Sequence, residues 1–288
     1  MRKTVLTVAC LAMLVPAASL KAQSEEQGAE QVVTIKSIDD LPERCLRTQR
    51  NRQRCARVLK EPLENLPEGY LLKVTIGSFF DQGQTDATGL FEPYVVRYVP
   101  VDPEGKENGT GKSFSQRGRM VQETPWKDGG KHGTEVFYNE WPRYVTAKIP
   151  WENGVIQGVK KTFYQDGTVQ SETPYVDGEP HGLSKTYSQK GTVTRTCMLK
   201  NGQRDGELVD YWPRGGNKRR VVNYESGTVT GVVKKFYRNG QLKQAIPFVN
   251  DMMHGEEKRY TEEGEPEKSR YWWHGDMVTK TEFTVKSE

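Results

Sequence analysis

Two consecutive stretches of equal length decide the fold: GVKKTFYQDGTVQSETPYVDGEPH, residues 158–181, and GLSKTYSQKGTVTRTCMLKNGQRD, residues 182–205. Each opens with Gly, has an aromatic residue five positions later, and contains two turns with Gly. Seven such units follow one another over residues 109–279, with a period of 24 or 25 residues. A period in this range is typical of a repeat architecture.

Three columns of residues recur through these units. The opening glycines are Gly109, Gly133, Gly158, Gly182, Gly206, Gly231 and Gly255. The first aromatic column is Phe114, Tyr138, Phe163, Tyr187, Tyr211, Phe236 and Tyr260. The second aromatic column, in which Leu199 stands in once, is Trp126, Trp151, Tyr175, Tyr224, Phe248 and Trp272.

Each unit predicts two short strands joined by tight turns. In the unit that opens at Gly231, the strands are 232–237 and 242–249, and Asn239-Gly240 between them supplies positive φ to a tight hairpin. Strands joined in this way are antiparallel neighbours. We therefore predict an all-β fold, in which an elongated meander of antiparallel β-hairpins forms a single sheet, with a short helical segment before it.

The spacing also predicts a cross-strand contact. The second aromatic lies seven residues before the next opening Gly, so a symmetric hairpin would place Trp126 opposite Gly133 and Tyr175 opposite Gly182. A ring over a cross-strand Gly covers backbone that Gly leaves bare. Pro often precedes the second aromatic, and because Pro cannot donate to a central ladder, we expect a bulge or hydrogen-bond gap at Pro125, Pro150, Pro174 and Pro247.

Residues 1–22 have the pattern of a secretory signal peptide. Arg2 and Lys3 are basic, the apolar run follows, and Ala22-Gln23 is a plausible cleavage site. One alternative is an uncleaved membrane anchor, for which the apolar run is short. The other is a lipoprotein modified at Cys10, which is disfavoured because Thr7 stands where a lipobox has Leu. We predict export to the periplasm, the outer membrane or the medium.

Residues 23–36 are polar and acidic, typical of a linker, and residues 37–66 predict a short helical segment, which Pro62 and Pro67 end. Its arginines, which could contact an anionic surface or form a solvated helix face, are Arg44, Arg47, Arg50, Arg52, Arg54 and Arg57. Cys45 and Cys55 are a candidate disulfide. On one continuous helix they would lie about 15 Å apart, so the bond requires a helix break near Arg50-Asn51.

The array has a predicted element at each end. Residues 67–108 contain two β-branched and aromatic runs, 70–76 and 94–99, which predict strands, and Gly89 with Tyr94 resembles a degenerate first unit. Residues 280–288 predict a charged closing strand that blunts the open edge of the sheet.

The motifs HGLSKTY at 181–187 and HGEEKRY at 254–260 resemble the MORN-repeat family, in the variant bacterial form. The resemblance covers residues 109–279 and implies a MORN-like single sheet. Some bacterial members that look like this are labelled antitoxins of the YwqK type, whereas other MORN repeats are scaffolds for protein assembly, and lipid binding has been proposed. The turn Gly missing at Trp141-Pro142-Arg143 and the pair Met198-Leu199 depart from the pattern.

No catalytic constellation is visible. His132, His181 and His254 occupy the same place in different units, so in a regular array they stand roughly 19 and 28 Å apart. One shared metal ion is excluded at such distances, and a role at turns is the simpler interpretation. Cys197 lies in a predicted strand, where we expect it to be buried as a small apolar residue. We predict no enzyme activity, metal or cofactor.

Two functional interpretations of different classes remain open. The first is an exported, non-catalytic binding or scaffold protein that presents a repetitive sheet to a protein partner in the cell envelope. The second is an envelope protein that binds glycans or anionic lipids through its aromatic rows and its arginines. An antitoxin-like neutraliser of a toxin is a third option that rests on the family resemblance alone. The net charge of +4 predicts no overall attraction to nucleic acid. We predict no nucleic-acid partner, because an exported protein rarely meets one and the aromatic residues lie away from the arginines.

Overall fold

The computed structural model describes residues 31–46, 49–79 and 92–287. These residues form one sheet of 22 strands, three α-helices and a short 3-10 helix. All the strand pairings are antiparallel, from Ile35 opposite Leu72 at one end to Trp273 opposite Asp276 at the other. The predicted all-β meander in a single sheet is confirmed.

The helical segment lies between the first and second strands of the sheet in chain order. This first part of the structure comprises β1 Gln31–Ile35, the 3-10 helix Ile38–Asp40, α1 Glu43–Leu46, α2 Gln49–Glu64, β2 Leu71–Phe79 and β3 Glu92–Val101. Two predictions are corrected here. The linker proposed for 23–36 ends in strand β1, because Val32, Val33, Thr34 and Ile35 favour extended backbone, and Pro62 lies inside α2 rather than ending it. Residues 1–30 and Gly89 lie outside the described residues.

The array follows as a regular series of strands. They are β4 Gly109–Phe114, β5 Met120–Lys127, β6 Gly130–Lys131, β7 Gly133–Tyr138, β8 Val145–Glu152, β9 Val155–Ile156, β10 Gly158–Phe163, β11 Val169–Val176, β12 Glu179–Pro180, β13 Gly182–Tyr187, β14 Val193–Lys200, β15 Gln203–Tyr211, β16 Lys218–Glu225, β17 Thr228–Phe236, β18 Leu242–Val249, β19 Met252–Met253, β20 Gly255–Arg259, β21 Arg270–Trp273 and β22 Asp276–Val278.

Two kinds of turn alternate along the array. The turn after each second aromatic has positive φ at both central residues, as in Asn153 (50°) and Gly154 (82°), which defines the tight type I′ hairpin. The turn after each first aromatic is longer: Gly240 has φ of 93°, but Asn239 does not have positive φ. Two backbone hydrogen bonds close this loop: Tyr237 N–H donates to the carbonyl of Gln241, and Gly240 N–H donates to the carbonyl of Tyr237. The hairpin predicted at 239–240 is therefore present, but Gly240 alone supplies the positive φ, and the prediction is wrong for Asn239.

The register corrects the predicted contact between ring and glycine. Trp126 lies opposite Lys131, and Gly133 lies opposite Trp151, the second aromatic of its own unit. The reason is that the two-residue turn fixes the pairing at the hairpin tip, and the ladder is then interrupted at Pro125, whose carbonyl accepts the N–H of His132 at 3.0 Å. The interruption expected at the proline is confirmed.

The C-terminal residues 280–288, predicted as a closing strand, instead form helix α3, Lys280–Ser287. Thr279 and Glu282 form a capping box, in which the Glu282 carboxylate accepts the Thr279 N–H at 2.8 Å and the Thr279 hydroxyl accepts the Glu282 N–H at 3.2 Å. This reciprocal cap satisfies backbone N–H groups in the first turn of the helix. It favours a helix over the charged strand that we predicted from KTEFTVK.

Candidate binding faces of the sheet

Alternation of side chains along each strand divides the array into two faces. Gly133, Glu135 and Trp151 share one face, and Tyr138 and Glu123 share the other. We call the first the second-aromatic face and the other the first-aromatic face, after the column that each carries. The two aromatic columns of the repeat therefore lie on opposite sides of the sheet.

Two tryptophans on the second-aromatic face donate to buried carboxylates. Trp151 Nε1 lies 2.9 Å from Glu135 Oε2, and Trp272 Nε1 lies 2.8 Å from Glu257 Oε2. Both carboxylates follow the opening Gly by two residues and are 1% exposed. In the first unit Gly111 takes that position, and Trp126 Nε1 is buried without a hydrogen-bond partner among the described residues.

On the first-aromatic face the tyrosines meet carboxylates of the neighbouring unit. Tyr187 donates to Glu172 at 2.7 Å, and Lys161 pairs with the same carboxylate at 2.9 Å. Burial and the hydrogen bond to Glu172 raise the pKa of Tyr187 to about 12. The hydrogen bonds join neighbouring units, so these rings act first as structural residues.

The opening glycines are required by a close approach. Gly133 and Gly255 have φ of 107° and 121°, in the left-handed region that side chains rarely adopt. A Cβ at Gly133 would also lie 3.1 Å from Cγ of Pro125, and one at Gly255 would lie 2.8 Å from Cγ of Pro247. The Gly column and the Pro before the second aromatic are therefore one packing unit.

Helices cover the first-aromatic face near both ends. Leu59 and Cys55 of α2 belong to the apolar cluster that contains Leu72 and Val74, and Phe114 packs against it. At the other end Phe283 of α3 contacts Tyr271 and Trp273, with ring centroids 5.7 and 5.9 Å apart. Within the described residues no helix packs on the second-aromatic face.

The predicted anionic-surface contact falls on helix α2. Arg50, Arg52 and Arg57 are exposed and Arg54 is partly buried. Arg52 forms an ion pair with Asp39, so part of this charge is used within the chain. The Arg47 position and the side chain of Arg44 lie outside the described residues. A contact with anionic partners stays a prediction.

The cysteines lie where the sequence places them. Cys45 and Cys55 are both fully buried in the same apolar cluster. Residues 47 and 48, next to the expected helix break, lie outside the described residues, and the disulfide stays a prediction. Cys197 is buried as expected, and burial raises the pKa of its thiol.

The histidines lie at interruptions and turns of the sheet. His132 and His254 donate their backbone N–H to the carbonyls of Pro125 and Pro247, and His274 has φ of 48° at the last turn. The sequence did not predict that the His254 and His274 rings are in contact, with centroids 4.7 Å apart and planes inclined at 53°. In the described ranges no group of three His, Cys, Asp or Glu side chains could hold a metal ion.

Residues 156–177 and 229–250 match the family described as MORN repeat variant. These two matches support a MORN-repeat family for the array. The two matched segments cover the units that open at Gly158 and Gly231, and each ends inside a type I′ turn. No sequence among the curated proteins matches the chain.

The similarity to one solved structure is weak. The crystal structure of the S. aureus TarM G117R mutant in complex with Fondaparinux, alpha-GlcNAc-glycerol and UDP is 19% identical, with a TM-score of 0.26. The match covers 34% of this chain and 19% of that chain, and it carries no argument about function. No helix in the described residues is long and apolar enough to cross a membrane.

Proposed function

We propose that the protein is an exported, non-catalytic binding or scaffold protein, which presents the second-aromatic face of its MORN sheet to a protein partner in the cell envelope. The observation that carries this proposal is the asymmetry of the sheet. Helices α2 and α3 pack on the first-aromatic face, and the described residues place no helix on the other. MORN repeats generally mediate binding to proteins or membranes, which supports a binding function.

A second candidate function is binding of glycans or anionic lipids. It is favoured by the exposed Arg50 and Arg57 on α2 and by the cations that lie over aromatic rings, such as Arg204 over Tyr224 at 5.2 Å. An antitoxin-like role follows from family analogy alone, and a fold does not fix a function.

Fractionation of the native host tests the proposal, with the N-terminus of the recovered protein sequenced and its partners captured by cross-linking in intact cells. We expect a chain that begins at Gln23 in the periplasm, outer membrane or medium, cross-linked to one protein. A chain that retains Met1 and is recovered from the cytosol would refute export and favour the antitoxin-like role.

A further inference from the structure

One cross-strand row of the second-aromatic face changes character along the array. The row joins residues that lie directly opposite one another on successive strands. Its members are Arg97, Ser113, Gln122, Phe137, Ala147, Thr162, Ser171, Thr186, Arg195, Asp210, Arg220, Lys235, Gln244 and Arg259. It is uncharged from Ser113 to Thr186, and from Arg195 onward it holds four cations and one carboxylate. We call the part from Arg195 to Arg259 the basic row.

The fold does not require these cations. Ser, Gln, Phe, Ala and Thr occupy equivalent positions in the earlier units, so the strands pair well without charge there. Arg220 and Lys235 lie directly opposite each other, an arrangement that destabilises a sheet. Asp210 accepts hydrogen bonds from Arg195 and Arg220, at 2.6 and 2.9 Å. Lys235 is exposed and has no ion-pair partner in the described part of the chain.

An apolar groove lies beside the basic row. The next cross-strand row on the same face is buried and apolar over the same units, with Leu208, Val222, Val233 and Ile246. Val222, Val233 and Ile246 of this row line an open groove of about 330 Å³ together with Tyr224 and Phe248 of the neighbouring aromatic column. Arg220 and Lys235 lie on one side of the groove. Ser184 and Glu257 limit the apolar stretch at its ends.

We propose that this groove is a docking site for a protein segment in which an apolar side chain is adjacent to a carboxylate. The apolar side chain enters the groove, and the carboxylate pairs with Lys235 and Arg220. Charge complementarity argues for an acidic segment, because the row has cations in excess of its carboxylates. The short apolar stretch suits one or two side chains better than a membrane surface. The inference rests on the proposed function and names the partner's chemistry.

Random heptapeptides displayed on phage and selected on the full chain test this inference. We expect enriched peptides with an apolar residue next to Asp or Glu, and synthetic versions whose affinity falls about tenfold on Lys235→Glu. The matched control is Lys234→Glu, which makes the same charge change at the adjacent exposed residue on the opposite face. There the affinity should stay within about twofold. Circular dichroism checks that both variants fold.

Three results would overturn the docking site: no enriched peptide, enriched peptides without carboxylates, or equal affinity for the two variants. Flotation with phosphatidylglycerol vesicles tests lipid instead, and vesicle binding that depends on Lys235 without peptide binding also refutes the proposal. If the native partner cross-links equally to Lys235→Glu, the proposed function stands and the groove assignment fails. If the chain is recovered from the cytosol but binds such peptides through Lys235, the groove assignment stands and the proposed export fails.

Discussion

Glu135 shows how a sheet can bury a carboxylate under its own side chains. Its oxygens accept hydrogen bonds from Gln122, Thr124, Lys131 and Trp151, at 2.7 to 2.9 Å. A buried charge is tolerated when its hydrogen-bonding capacity is satisfied in this way. Glu257 repeats the arrangement with Gln244 and Trp272, so the repeat can supply the same carboxylate site in units far apart in sequence.

The indole hydrogen bond gives a matched pair of substitutions. We expect Trp151→Phe to destabilise the protein by about 1–2 kcal/mol more than Trp126→Phe, since a hydrogen bond to a charged group is lost only at Trp151. Urea denaturation of both variants measures this difference in the free energy of unfolding. Equal losses would mean that the bond to Glu135 contributes nothing beyond ring packing.

Glu135 also predicts a dependence of stability on pH. Burial raises the pKa of this carboxyl, but hydrogen bonds from Lys131, Thr124 and Gln122 outweigh burial and hold the pKa below its ordinary value. A carboxylate with a lowered folded-state pKa stabilises the fold above its ordinary pKa, and that contribution is lost as the pH falls through the folded value.

The urea midpoint should therefore fall more steeply between about pH 5 and pH 3 in the wild type than in Glu135→Gln. Other carboxyls titrate in both proteins, so the difference between the two slopes isolates Glu135. Identical slopes would show that this carboxylate is not linked to folding.

At the scale of elements, helix α3 was missed although its signal is in the sequence. Thr279 followed three residues later by Glu282 is a capping box, which predicts a helix in place of the charged closing strand. Thr279→Ala should remove the cap and cost the helix about 1 kcal/mol. Amide exchange of residues 280–287 would then be faster, with the array unchanged. Unaltered exchange would show that Phe283 packing alone holds the helix.

The type I′ turns allow a test of backbone strain without packing. A Cβ at Gly154 would meet no atom within 4 Å, but the residue has φ of 82°. Gly154→Ala should therefore destabilise the protein by about 1 kcal/mol through conformation alone. Thermal unfolding measures the loss, and Asn153→Asp is the control, since Asp128 and Asp177 hold the same turn position with φ of 51°. A Gly154→Ala variant that is as stable as the wild type would contradict the positive φ at this residue.

The repeat period, the strands and both turn positions could be predicted because Gly and aromatic residues recur wherever backbone geometry demands them. The register could not, because a symmetric hairpin and one interrupted at Pro125 have the same spacing in sequence. The basic row was missed for a related reason. Arg195, Arg220 and Lys235 are far apart in sequence and become neighbours only when the register is known.

At the scale of the molecule, successive units of the array pair with their neighbours in the chain. Deletion of residues 158–181 should therefore leave a folded sheet, since Gln157 would be followed by Gly182 in place of Gly158. We expect a lower melting temperature with β-type circular dichroism retained. Loss of all structure would contradict an array that is stabilised mainly by neighbouring units.

The measurement that tests the central claim most directly is photo-cross-linking in intact cells from adjacent residues on opposite faces. p-Benzoylphenylalanine would replace Thr186 or Lys235 on the second-aromatic face, and Lys185 or Lys234 on the other. We predict a protein adduct from Thr186 or Lys235 and none from Lys185 and Lys234. Adducts from the first-aromatic face alone, or from both faces equally, would contradict a sheet that presents its uncovered side to a partner.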